Sequence, residues 1–272
     1  MLLYSYDNLV VIYGTLFIAK RGWNCLIRRV LCCETTGGAF YSHLENNDLE
    51  LNRVDFVNNT ATTEGGAIYI GEDHASVLLS YVSVSGSWAD SGGGLFFGPL
   101  STAILMSLCN VELNSANRGG GVVSSATELT ILASVIDSNV AFDCCGGILV
   151  ENTVALLVAE SSISRNSARS SSGGLSISKS VNITVKFCDF VENKVSAGRG
   201  GALTLSESQE IIVRTNSFVQ NSGDSGGGMH VAASTQVVVN GSVFTENIAQ
   251  VGSGSAIYVR ASALSMFQND FP

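Results

Sequence analysis

Phe56-Val57-Asn58-Asn59-Thr60-Ala61-Thr62-Thr63-Glu64-Gly65-Gly66-Ala67-Ile68-Tyr69-Ile70 is the stretch from which the fold of this chain can be read. The paired glycine in its second half recurs at Gly37, Gly65, Gly93, Gly120, Gly146, Gly173, Gly200 and Gly227, and at Gly254 with Ser255 as its partner. A fixed period between about 20 and 50 residues marks a solenoid, whose units bury their apolar faces only against one another. The unit from Gly200 to Gly226 divides most clearly. A short apolar strand, Ala202-Leu203-Thr204-Leu205, precedes a polar turn, and two further strands follow at Glu210 to Thr215 and Ser217 to Gln220. In the preceding unit Ile183, Val185 and Phe187 alternate with Asn182, Thr184 and Lys186, the period of a strand and not of a helix. The expectation is an all-β parallel β-helix, about 27 residues and three short strands per coil. A propeller blade needs about 40 residues, and the leucine-rich consensus does not recur. Coils spaced as paired strands, about 4.8 Å, would make a rod of roughly 40 Å from eight coils.

The third strand of each unit carries the other half of the signature, an apolar residue followed three positions later by Asn. It places Asn59, Asn114, Asn139, Asn166, Asn193, Asn221 and Asn247 at one corner, and only Val84 to Ser87 breaks the series. Apolar side chains stacked on their equivalents fill the interior. The asparagines are expected to form a hydrogen-bonded ladder and to take the left-handed turn conformation that Asn tolerates.

Composition narrows the function. Of 272 residues, 46% are hydrophobic and 14% charged, enough to bury a core. A net charge of −9 with 14 dispersed Lys and Arg argues against nucleic acid as a partner. Seven cysteines, Cys25, Cys32, Cys33, Cys109, Cys144, Cys145 and Cys188, show no Cys-x-x-Cys spacing, so they point to buried thiols and not to a structural metal site. Cys109 and Cys188 share a place in the repeat but lie three coils apart, roughly 14 Å at the rise of paired strands, and no disulfide is expected between them.

Residues 1–34 do not share the repeat and are expected to be a cap or an ill-defined start; residues 35–272 form the β-helix, expected to be cut at its C-terminus where Phe271 would open another Phe-x-x-Asn unit. The apolar run Asn8 to Ala19 is shorter than the ~20 residues that a spanning helix needs, and it lacks a signal peptide's basic start and cleavage site.

Phe-x-x-Asn paired with Gly-Gly-Ala-Ile, in a Gly- and Ser-rich chain, resembles the polymorphic outer membrane proteins of chlamydiae and related right-handed β-helix proteins. The best copies are Phe56 to Asn59 with Gly65 to Ile68, Phe190 to Asn193 with Gly200 to Leu203, and Phe244 to Asn247 with Gly254 to Ile257. The resemblance implies a right-handed, pectin-lyase-like fold and an extracellular or cell-surface scaffold, adhesin-like and part of a larger protein. It also implies membrane association only through parts outside this chain, and a protein or carbohydrate ligand.

The alternative is a polysaccharide-cleaving enzyme, a lyase or glycoside hydrolase, which would need carboxylates with a base, or calcium beside Arg or Lys, on one outer face. Asp90, Asn117 and Asp143 fall three residues before the glycine pair in consecutive units and could stack as a partly acidic ladder, the best binding or calcium candidate; no other cofactor is implied. Glu72-Asp73-His74 has no acid to pair with one coil on, and His230 has no partner of metal-ligand type in its strand. No nucleophile elbow, His-Glu-x-x-His or phosphate loop occurs. One further reading favours binding: strand alternation should expose an apolar stripe of Ile68, Phe96, Val123, Leu149, Leu203 and Ile257 after the glycines.

Overall fold

The computed structural model describes residues 2–6, 9–13, 24–28, 36–42, 48–71, 76–99 and 101–272. Among these the chain is a parallel β-solenoid of four sheets, containing nine, nine, eleven and seven strands. The first sheet takes the strands that follow the glycines, from Phe40–Ser42 to Ile257–Arg260, and the second runs from Asp48–Asn52 to Leu264–Phe267. The third includes Val54–Val57 through Val243–Thr245, and the fourth Trp88–Ser91 through Ile248–Ala249. Successive coils pair in parallel register, so that Ile183 meets Ile211 and Phe190 meets Phe218.

The fourth sheet corrects the expectation of three strands per coil. Its strands occupy the stretch between the ladder Asn and the glycines, and they shorten to two residues from Ser167–Ala168 onward. What makes a strand possible in so tight a corner is a small inward side chain two residues after the ladder position. Ala61, Ala89, Ala116, Ala141 and Ala168 are all buried, and Val195 follows them.

One continuous core fills the rod. Equivalent side chains stack along the axis: the rings of Phe190 and Phe218 lie 4.8 Å apart, and those of Phe218 and Phe244 4.6 Å apart, their planes nearly parallel. Inward and outward residues alternate along each strand until a corner. Phe187 departs from the expected inner face there, because its φ of 54° turns the chain and leaves the ring exposed beneath Arg214.

Three corners carry inward polar ladders. At the Asn corner, Asn139 donates from Nδ2 to the Val111 carbonyl (2.9 Å) and to Asn166 Oδ1 (3.0 Å), and its own Oδ1 accepts from the Asn114 backbone N–H (3.0 Å) and Nδ2 (3.1 Å). The same set recurs at Asn166, Asn193 and Asn221, with Asn247 accepting from Asn221; Asn114 accepts only from the Ser87 N–H, and Ser87 takes the Asn place beside Asn59 with a longer contact of 3.3 Å. Between the first and second sheets, Thr153, Ser180, Ser208, Ser234 and Ser262 pass a backbone N–H to the next hydroxyl. Between the second and third sheets, Cys109 donates its N–H to Ser134, Ser134 to Ser161, and Cys188 to Asn216. That stack sets Cys109 and Cys188 three coils apart, and both are free thiols. The left-handed backbone does not fall on the ladder Asn. It falls on the residue before it, at Leu113, Ser138, Arg165, Glu192, Gln220 and Glu246, so the corner is a left-handed residue followed by an inward acceptor.

The fourth corner is glycine. Gly65 has a φ of +62°, and a Cβ added to Gly66 would come to 2.0 Å from the Gly93 carbonyl oxygen of the next coil, so the first glycine makes the turn and the second lets two backbones touch. Backbone register also corrects the glycine count. Gly66 donates to the carbonyl of Gly92 and Gly93 to that of Gly119, so Gly37, Gly65, Gly92, Gly119, Cys145, Gly200, Gly226 and Gly254 share the turning position, while Gly93, Gly120, Gly146, Gly173 and Gly227 are second positions.

The third sheet also extends into the segment before the repeat. Asn24–Arg28 pairs in parallel with Val54–Val57, Leu9–Tyr13 pairs in parallel with Asn24–Arg28, and Leu2–Tyr6 closes that edge antiparallel. Cys32, Cys33 and Glu72-Asp73-His74 lie outside the described residues.

Candidate functional site on the outer face of the first sheet

Because the interior and its corners are committed to stacking, side chains free to differ from coil to coil are those on the outside. On the first sheet the register aligns Tyr41, Tyr69, Phe96, Val123, Leu149, Ser176, Thr204, His230 and Tyr258 in one outward row. This revises the expected stripe. Phe96, Val123 and Leu149 are in it, but Ile68 and Leu203 are fully buried in the core and Ile257 packs against it; their outward neighbours are Tyr69, Thr204 and Tyr258. The middle residue of each three-residue strand faces out, and a reading one place early swapped the two faces.

The row changes character along the rod. At one end Tyr41, Tyr69 and Phe96 stack with centroids 5.1 and 5.5 Å apart, their faces turned toward one another. Val123 and Leu149 follow, each 3% exposed, and pack with Cys145. Cys145 occupies the turning position that most other coils give to glycine, with a φ of +68°. Beside it the Cys144 thiol is held down to about 7, by a hydrogen bond from the Cys145 thiol and by the Arg118 guanidinium, against the opposing effect of burial. Cys145 is pushed well up by the same hydrogen bond and by its burial. Arg118 also pairs with Glu151 at 3.2 Å. Sequence reading noted the vicinal cysteines but not Arg118 as their neighbour; the signal was the equivalence of Arg118 and Cys144 across one coil, hidden by a register shift in the fourth sheet.

The acidic ladder is placed on the fourth sheet. Asn117 Nδ2 donates to Asp90 Oδ1, which brings those two together across one coil. Asp143 lies beyond the register shift and accepts from the Ser170 hydroxyl at 2.9 Å. Among the described residues no three His, Cys, Asp or Glu side chains converge to hold a metal ion.

At the other end of the row the outer face becomes a polar groove of about 620 Å³. Thr204, Ser206, His230 and Ala232 line it from the sheet, and the segments 197–199, 224–225 and 251–252 line it from the glycine corner. Thr204 donates to the Arg199 carbonyl at 3.2 Å, tying one of those segments to the sheet. His230 is 2% exposed, stacks on Tyr258 at 5.3 Å, and has no hydrogen-bond partner at either ring nitrogen. Burial, with Arg199 and Arg260 nearby, lowers it to about 4, so the ring is neutral at pH 7.

Comparison with known proteins agrees with this architecture. Residues 146–271 match the family described as Right handed beta helix region, which makes the class of this protein a right-handed parallel β-helix. Residues 53–71, the stretch that first revealed the period, match the Chlamydia polymorphic membrane protein repeat. No curated protein and no solved structure matches the chain.

Proposed function

We propose that this chain is a surface-associated β-helical scaffold of adhesin type, which presents the outer face of its first sheet to a ligand outside the cell. The observation that carries the reading is the match of residues 53–71 to the polymorphic membrane protein repeat, repeated in register along the stack. A solenoid suits the task because its inner positions fix the backbone while its outer positions vary freely, so one frame can carry different recognition surfaces. The polar end of the outer row favours a carbohydrate ligand, since the hydroxyl groups that line it can both donate and accept. The aromatic end is read as a stabilising stack, its ring faces taken up by one another. The test has two arms. Antibodies to the folded chain should label intact source cells, and beads coated with the chain should be retained on immobilised glycans. Labelling only after permeabilisation, or no retention on any glycan, would overturn the reading.

A further inference from the structure

We propose that Cys144 is a modification site: its thiolate exchanges with a low-molecular-weight disulfide and keeps the mixed disulfide at the outer rim of the rod, with Arg118 and Cys145 as positioning residues.

The placement of this thiol differs from that of the two ladder cysteines. Cys109 and Cys188 are buried at an inward corner, where each donates its S–H to a main-chain carbonyl, Ser107 at 3.4 Å and Lys186 at 3.2 Å, so both thiols serve the stack. Cys144 is half-buried and ends a strand of the fourth sheet, where the register aligns Glu64, Ser91, Arg118 and Cys144 in one row. The other three members of that row are polar and at least partly exposed. A register shift between Ala116 and Arg118 brings Cys144, and not Asp143, opposite the guanidinium.

Cys145 marks the same place independently. It turns the chain with a φ of +68°, where Gly92 and Gly119 make the turn in the two preceding coils. Glycine takes this conformation without strain and a residue with a side chain does not. What the side chain adds here is a buried S–H that donates to the Cys144 sulfur.

The chemistry follows from these neighbours. The Cys145 S–H and the Arg118 guanidinium outweigh burial and hold Cys144 down to about 7, so most of it is thiolate at pH 7.5. The thiolate attacks one sulfur of R–S–S–R, the reagent's S–S bond breaks, Cys144–S–S–R forms, and RS⁻ leaves and takes a proton from water. The disulfide is itself the oxidant, and no other co-reactant is needed. Cys145 does not displace the adduct. Its thiol is pushed well up and stays protonated, 1% exposed. Neighbouring Cα atoms also stand about 3.8 Å apart across a trans peptide, short of the roughly 4.4 Å or more that a disulfide spans. Backbone movement to relieve this is opposed by the next coil, since the Cys144 and Cys145 carbonyls accept from the Gly119 and Gly120 N–H groups at 2.9 and 3.0 Å.

The site stands apart from the adhesin reading, and its test reads one thiol. The reduced full chain is exposed to 2-hydroxyethyl disulfide over a pH series, and peptide mapping by mass follows each cysteine. At pH 7.5 Cys144 should be thiolated about 10-fold or more ahead of Cys109 and Cys188. Its rate should level off around a midpoint near 7, and the adduct should persist until dithiothreitol removes it. Cys145→Gly restores the residue that neighbouring coils use at this turn and removes the S–H donor; Arg118→Met removes the cation. Each should move the midpoint upward and slow the reaction several-fold at pH 6, and Arg118→Lys should recover part of the rate. Circular dichroism confirms the β-helix in every variant. Thiolation of Cys109 or Cys188 ahead of Cys144, a bridge between Cys144 and Cys145 in place of the adduct, or an unchanged pH profile in both folded variants would each overturn the site.

Discussion

Asn139 and His230 are both buried polar side chains of one solenoid, at 0% and 2% exposure, and they differ in every other respect. Asn139 points inward at a corner and its amide makes two donated and two accepted hydrogen bonds to the neighbouring coils. His230 points outward from the first sheet, and neither ring nitrogen bonds to the protein. In a repeat protein, polar groups that serve the fold are satisfied by their own equivalents one coil away, because the same geometry recurs there. His230 has no such equivalent to bond, so its burial does not serve the stack as that of the recurring asparagines does.

Breaking the inner side of this comparison should have the largest effect. In Gly66→Ala the new Cβ would meet the backbone oxygen of Gly93 at 2.0 Å, and backbone cannot rotate away as a side chain can. A loss of about 4 kcal/mol or more is expected. Urea denaturation should show either no folded baseline or a midpoint far below that of the parent, and a midpoint close to the parent's would mean that the coils are not in backbone contact there.

On the outer side, pH sharpens the contrast. The folded-state value of His230 is lowered from 6.5 to about 4, so the unfolded chain takes up this proton first as pH falls. The associated stability is fully present above pH 6.5 and is lost between 6.5 and about 4. Carboxylates titrate in the lower part of that window, so the quantity to measure is the difference between parent and His230→Phe. The variant should lose less stability on acidification, and equal losses would place His230 in water.

Smaller effects grade the inner ladder. Asn139→Ser keeps an acceptor for the Asn114 backbone N–H, as Ser87 does for Asn59, but loses the donors to Val111 and Asn166. A cost of about 1–2 kcal/mol is expected from thermal or urea denaturation. The mildest test concerns thiol rates. Cys144, held down to about 7 and half-buried, should react with iodoacetamide well before Cys188, which burial pushes up to about 11, and before Cys109, also raised by burial. Mass mapping of labelled peptides after short exposure would show this order; Cys188 labelled first would mean that its coil opens.

The stacking rule was legible in the sequence because it is local and repeated. One Phe-x-x-Asn copy says little, but Phe190, Phe218 and Phe244 at nearly constant spacing already describe the column of rings that fills the core. The serine ladder was equally periodic, at Ser180, Ser208, Ser234 and Ser262, yet serine in a polar turn is too common to draw notice. The inward alanines that create the fourth sheet were overlooked for the same reason. What could not be read was which member of Ile68-Tyr69 or Leu203-Thr204 faces out, since a one-residue slip exchanges the faces and both members are compatible with either. The groove was hidden more deeply. It joins Arg199, His230 and Val251, each from a different coil, and no periodicity links residues whose role is to differ.

The division between inner and outer polar groups is tested most directly by the equilibrium stability of two variants at pH 7.5, measured by urea denaturation against the parent. Asn139→Ala leaves the Asn114 N–H without its acceptor and removes the Nδ2 donor from the Val111 carbonyl and Asn166, and the account predicts a loss of about 3 kcal/mol. His230→Phe replaces a ring with two unbonded nitrogens by an apolar ring that can keep the stack on Tyr258, and the account predicts no loss or a gain of up to about 1 kcal/mol. Opposite or clearly unequal responses in that order support it. A similar loss in both variants would contradict it, because His230 would then be bonded into the fold as firmly as the asparagine ladder.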